Sequence, residues 1–243
     1  MTSTPKWKCL CASTLGRSHQ EDGTPLQDYG VGEASPFPLL ALADGAGSAV
    51  HSRIGAETAV RTAVDSIREK KLRIDSRSRC LELHEAILIA LREAAKELET
   101  DLSTLATTFM AVYALEETVY WMQLGDGTII AQNHSVLGCV SVPCKGEFAN
   151  ETVFVTSPGA SDSLQFGSFP AAECDGLLAF TDGLEPLLVY QACLIPAPVC
   201  SSLISQLKQK PLTGEDLQHL LENEFCRASD DDKTLGLMVP SLR

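Results

Sequence analysis

No apolar run in this 243-residue chain approaches the ~18 residues that a membrane-crossing helix needs. Met1 to Leu10 lacks the cationic segment and apolar core of a secretion signal, so none is expected. Basic residues are scarce: 19 Lys and Arg face 32 Asp and Glu, giving a formal charge of −13. Counterion release requires clustered cations, which excludes nucleic acid as a partner and argues equally against an anionic membrane surface. A soluble protein is expected.

Other absences narrow the chemistry. The nine cysteines are odd in number and contain no CxxC pair, although Cys9 and Cys11 would share one face of a strand. Such thiols read as reduced and mostly packed, in a cytoplasmic protein. The five histidines are scattered and none has zinc-ligand spacing with a cysteine. There is no GxSxG nucleophile motif and no Walker-type phosphate loop. Gly45-Ala46-Gly47 sits between a strand and a helix, as a dinucleotide loop would. Position 50 is Val, however, and Asp44 would repel a pyrophosphate.

What remains is ample apolar material, 44% of residues, with no internal repeat or long linker. One domain over residues 1–243 is expected. Strands are predicted at Lys8 to Leu15, Asp28 to Glu33 and Leu39 to Ala43, with Arg17 to Gln27 as a loop. Two helices follow, the first with Ser52 as cap and Val60, Ala63, Val64 and Ile67 on one stripe, the second with Leu83, Ile87 and Leu91 on its apolar face. Thr107 to Leu115, Val119 to Leu124 and Thr128 to Gln132 read as a meander, followed by strands at Val153 to Thr156 and Leu177 to Thr181. A second helix pair spans Cys200 to Gln209 and Gly214 to Phe225, the latter capped by Thr213 with Asp216, and Leu235 to Val239 closes the chain. The order implies an α+β fold, with a largely antiparallel sheet pair between helix pairs.

One shape recurs: an apolar run that stops at Asp-Gly. It occurs at Asp44-Gly45, Asp126-Gly127 and Asp182-Gly183, while Asp28 opens a strand and Asp230-Asp231-Asp232 precedes the last one. A lone Asp-Gly is an ordinary turn, and Asp22-Gly23 and Asp175-Gly176 end no long apolar run. If the other strand ends converge, their carboxylates repel, and divalent cations relieve that repulsion. All-oxygen ligands select Mg²⁺, Mn²⁺ or Ca²⁺ over Zn²⁺. Two such ions ~3.5–4 Å apart suit phosphoester hydrolysis by activated water.

These residues resemble the metal-dependent protein phosphatase 2C family. The resemblance rests on the order Gln27-Asp28, Ala43-Asp44-Gly45-Ala46-Gly47, Leu124-Gly125-Asp126, Phe180-Thr181-Asp182-Gly183-Leu184 and Ser229-Asp230-Asp231-Asp232-Lys233-Thr234. Ser18-His19, Gly23-Thr24-Pro25-Leu26-Gln27-Asp28 and Gly146 to Glu151 are similar to a bacterial branch of it. The resemblance implies a four-layer α-β-β-α sandwich with two Mn²⁺ or Mg²⁺ ions at one end. Asp44 would bridge them, Asp28 and the Gly45 carbonyl would serve one, and Asp182 and Asp231 the other. Asp22 is the rival to Asp28, and Asp232 stands where the family usually has Asn. It further implies hydrolysis of phosphoserine or phosphothreonine in a protein substrate, opposite a cognate kinase, by a water bridging the ions. A silent phosphoprotein-binding module with the same fold is the alternative.

Departures from the family pattern leave roles to assign. Arg17 and His19 are the candidates for phosphate binding or proton transfer. Ala46 replaces a histidine found in animal members. Pro186 occupies a position where a third-metal acid would stand, leaving Asp126 as an outer ligand or strand-end acceptor.

Overall fold

The computed structural model describes residues 6–144, 152–209 and 212–241. Two five-stranded antiparallel sheets stack face to face between two helix pairs. The first sheet has the order β1 (Trp7–Thr14), β12 (Lys233–Pro240), β9 (Cys174–Phe180), β6 (Thr128–Asn133) and β7 (Val136–Cys139). The second runs β2 (Tyr29–Glu33), β3 (Leu39–Ala43), β4 (Phe109–Leu115), β5 (Thr118–Leu124) and β8 (Gln165–Pro170). A short hairpin, β10 (Val189–Tyr190) with β11 (Ile195–Pro196), lies outside both.

Alternation along the strands builds the layers. In β3, Leu39, Ala41 and Ala43 pack toward α2 (Ser52–Lys70) and α3 (Arg77–Glu97), while Leu40 and Leu42 enter the layer between the sheets. In β9, Leu178 and Phe180 pack toward α5 (Pro198–Gln209) and α6 (Gly214–Asn223), while Leu177 and Ala179 face inward. The expected four-layer α+β sandwich is therefore the observed one. The predicted stripe Val60, Ala63, Val64 and Ile67 is buried. Thr213 and Asp216 form the reciprocal capping box. Cys9 and Cys11 both pack against the inter-sheet core.

Four local expectations are corrected. Residues 17–22 are not loop but a short helix, α1 (Arg17–Asp22), ended by Gly23 at φ +76°. It buries no residue, so it left no apolar periodicity to read. Ser52 begins α2 instead of capping it; His51 holds the cap position and no side chain bonds there. The three-strand meander does not form, because the chain leaves β5 and crosses to the other sheet before β6. Residues 153–156 make no strand: the Val155 N–H donates to the Thr107 carbonyl (2.8 Å) and the chain turns at Ser157. The motif Gly146 to Glu151 lies outside the described residues.

The crossover fixes the functional end of the molecule. Gly125 adopts φ +118°, a conformation that a residue with a side chain rarely takes, and the chain turns there from one sheet to the other. Fully buried Gln123 holds the turn, its amide donating to the Gly125 (3.2 Å) and Gly127 (2.6 Å) carbonyls.

Candidate metal centre

Register brings the acidic strand ends together. In one sheet Tyr29 pairs Ala43 and Phe109 pairs Leu124, so Asp28, Asp44 and Asp126 emerge at the same edge. In the other, Phe180 lies between Leu235 and Thr128, so Asp182 emerges between the Asp230–Asp232 turn and Asp126. Asp44, Asp126 and Asp182 each offer a carboxylate oxygen within 4.8 Å of the others.

The surrounding backbone is tightly held. The Asp44 N–H donates to Thr108 Oγ1 (2.9 Å), and its carbonyl accepts from the Thr108 N–H (2.8 Å) and Thr107 Oγ1 (2.9 Å). Gly45 has no room for a side chain: a Cβ there would stand 2.7 Å from the Ser52 carbonyl oxygen and 2.8 Å from that of Gln27. Asp126 Oδ2 accepts from Thr152 Oγ1 at 2.5 Å.

Asp28 sits behind the triad, fully buried, its Oδ2 accepting from Thr181 Oγ1 (2.8 Å). Thr181 Oγ1 in turn accepts the Thr234 N–H (2.9 Å). Asp231 is exposed at the rim, and its Oδ1 accepts the Asp232 N–H (2.8 Å). Asp232 faces the other way, buried, where it accepts the N–H groups of Gly16 and Gln27 at 2.7 Å each and lies 3.0 Å from His19 Nδ1. Buried Lys233 donates through Nζ to the carbonyls of Ser229 (2.9 Å) and Asp231 (2.6 Å), which pins this turn.

The structure therefore gathers Asp44 and Asp182 with Asp126, places Asp28 behind them and leaves Asp231 at the edge. The Gly45 backbone follows Asp44 directly. Asp22 is away from this cluster, on exposed α1, accepting the Thr24 N–H (3.0 Å). Arg17 is half-exposed, 3.6 Å from Asp230, and His19 faces Asp232 rather than the triad. Sequence reasoning undervalued Asp126, although its Gly125-Asp126-Gly127 stop has the same shape as the other two. It missed Gln123 and Lys233, which carry no local signal of a positioning role.

Electrostatics mark the same residues. Burial pushes Asp28 up to about 7, with Asp232 and Asp182 adding repulsion against the opposing threonine hydrogen bonds. Asp182 rises to about 7 by burial, then by repulsion from Asp126 and Asp231. Asp44 is raised well above the carboxylate range by burial and by its four acidic neighbours. Asp28 Oδ1 and Asp182 Oδ1 are buried with no hydrogen-bond partner. Orphaned oxygens, an all-oxygen donor set and mutually repelling carboxylates fit hard divalent cations.

The protein phosphatase 2C family model matches residues 15–225. The chain belongs to the protein phosphatase 2C family. Serine/threonine-protein phosphatase 3 of Escherichia coli (strain K12) is 28% identical to it, over 96% of this chain and 98% of that one. The catalytic domain of the serine/threonine protein phosphatase PstP, solved with two manganese ions, superimposes with a TM-score of 0.67 at 16% identity, covering 98% of this chain and 100% of that one. Staphylococcus aureus Stp1 superimposes with a TM-score of 0.64 at 14% identity, over 99% and 96% of the two chains. At such identities the structural likeness speaks for the fold, the one expected of a protein phosphatase 2C domain.

Proposed function

We propose that this protein phosphatase 2C member hydrolyses phosphoserine and phosphothreonine in protein substrates, with two Mn²⁺ or Mg²⁺ ions, opposite a cognate kinase. The observation that carries the reading is the convergence of Asp44, Asp126 and Asp182 from three strand ends within 4.8 Å. Asp44, Asp126 and Asp182 would hold the ions, with Asp28, the Gly45 carbonyl and Asp231 completing the set. When bound, the ions supply charge neutralisation for the phosphoryl group and a water acidic enough to attack it.

The chain's own residues supply position. Thr181 and Thr234 orient Asp28, Gln123 fixes the turn that carries Asp126, and Lys233 fixes the carbonyls around Asp231. His19 lies against Asp232, which ties α1 to the last strand; we assign it to positioning rather than proton transfer. Arg17, on the same short helix and paired among the described residues with one exposed aspartate, is the candidate cation for the substrate phosphate. We read residues 1–243 as one catalytic domain, supported by the core layer that both sheets share. Nine free cysteines support work in the cytoplasm. Among the described residues no helix is long and apolar enough to cross a membrane.

The test is hydrolysis of a phosphothreonine peptide with Mn²⁺, Mg²⁺ or EDTA. Turnover that requires the cation supports the proposal. A folded protein that binds Mn²⁺ and releases no phosphate under any condition overturns it in favour of a silent binding module.

A further inference from the structure

The end of the sandwich opposite the metal centre holds a second concavity. It measures about 610 Å³ and is lined from four stretches of chain: the start of β1, the loop between β2 and β3, the C-terminal end of α2 and the end of β4. Pro38 lines it, and β3 starts at the adjoining Leu39 and ends one residue before Asp44, a path of roughly 17 Å from Leu39 to Asp44 at the usual strand rise. The two sites are therefore separated by the length of the sheet.

The lining is unusual for this chain. Trp7, Phe37 and Leu115 give it an apolar wall, while Lys6, Arg68 and Lys71 supply three cations on a molecule of net charge −13. The one acid in the lining among the described residues, Glu116, is engaged by Arg73 at 2.7 Å. Arg68 Nη2 pairs with Glu33 and donates to the Ser35 carbonyl (3.0 Å), whereas its Nε is buried without a partner. Lys6 and Lys71 are exposed and form no ion pair among the described residues.

Neither half of this lining accounts for the other. An apolar wall alone would suit a neutral ligand, and lysines alone would be solvated. Together they match a molecule with a planar apolar body and an anionic group, in a volume typical of small-ligand sites. We propose that this cleft is a binding site for a small aromatic anion bearing a carboxylate or phosphate, separate from the metal centre and independent of its chemistry.

Anilinonaphthalene sulfonate, added to the full chain in EDTA, is the probe. One saturable site is expected, with its emission excited by energy transfer from Trp7 and that transfer reduced in Trp7→Phe. Phenyl-naphthylamine, which has the same rings without the sulfonate, should bind roughly tenfold more weakly. The double variant Lys6→Gln/Lys71→Gln changes only exposed side chains, so it should fold normally. It should weaken the sulfonate by about tenfold while leaving the naphthylamine unchanged. Benzoate and phenylphosphonate should displace the probe where phenol does not, and Asp182→Asn should leave binding intact. Equal affinity for the two dyes, unchanged sulfonate binding in the lysine variant, or loss of binding in Asp182→Asn would each overturn the assignment.

Discussion

Strand β9 carries the same dipeptide near both ends, and the two copies behave in opposite ways. At its start, Asp175 accepts the Ser135 N–H (2.8 Å) and lies 3.3 Å from Lys208 Nζ, contacts that hold its carboxyl below the usual range. Just beyond its end, Asp182 is half-buried with its Oδ1 shut off from water, stands among Asp44, Asp126 and Asp231, and is pushed up to about 7. Gly follows each, but Asp175 lies inside β9 beside a break in register with β6, whereas Asp182 opens the helical turn that follows the strand. The difference lies in what the neighbouring strands deliver: a backbone donor and a lysine at one end, three more carboxylates at the other. The dipeptide alone does not fix the outcome: the sheet register decides whether the carboxylate is satisfied or frustrated.

The largest expected effect breaks the frustrated end. Asp182→Asn keeps the side-chain volume and removes one charge, so Mn²⁺ affinity and phosphopeptide hydrolysis should fall by about a thousandfold or more. The metal-free variant should melt no lower than wild type, because a repulsion has been removed. Calorimetric Mn²⁺ titration and a melting curve on one preparation check both halves. Retained turnover would disprove the site.

Next in size is the choice between the structural triad and the ligand order implied by resemblance. Asp126 is in the triad and Asp231 is at the exposed rim. Asp126→Asn should therefore weaken Mn²⁺ binding by roughly ten- to a hundredfold, and more than Asp231→Asn does. The reverse ranking would mean that the rim turn closes inward when the ions bind.

The comparison also predicts a pH dependence. In the metal-free protein Asp28 and Asp182 keep their protons up to about pH 7, whereas an unfolded aspartate releases its proton near ~4. The folded state thus binds more protons across that interval, so its stability falls as pH rises through it. Chelated protein should melt lower at neutral pH than at mildly acidic pH, and Mn²⁺ should abolish the difference. A chelated protein that is most stable at neutral pH would contradict the raised values.

Much of this was legible in the sequence because it rests on local periodicity. The unbroken apolar run Leu39 to Ala43 marks a strand covered on both faces, and the stripe through Val60 and Ile67 names the helix face that covers it. The acidic stops at Asp44 and Asp182 were readable because each ends a buried strand. Asp126 was harder to place, since its position depends on the chain leaving one sheet for the other at Gly125. Locally, Val119 to Leu124 and Thr128 to Gln132 look like consecutive meander strands, and no pairwise pattern reports which sheet the second joins. The helix at residues 17–22 was invisible for a related reason: it is held by Asp230 and Asp232, more than 200 residues away in sequence, and not by a buried face of its own.

The smallest effect belongs to the satisfied end of β9 and serves as the control for the rest. In Asp175→Asn the amide oxygen can still accept the Ser135 N–H, so the turn between β6 and β7 persists. What is lost is the charge assistance of that bond and the contact with Lys208, both partly exposed, for a cost of about 0.5 kcal/mol. Hydrolysis and Mn²⁺ affinity should match wild type, with only a small drop in melting temperature. The two substitutions are chemically identical, one within β9 and one just past its end, so any general weakening of β9 would appear in both. If Asp175→Asn lost hydrolysis as completely as Asp182→Asn, the strand would be the cause and the carboxylate cluster would lose its claim. A large effect at one end and none at the other isolates the cluster itself, because the chemical change is the same at both.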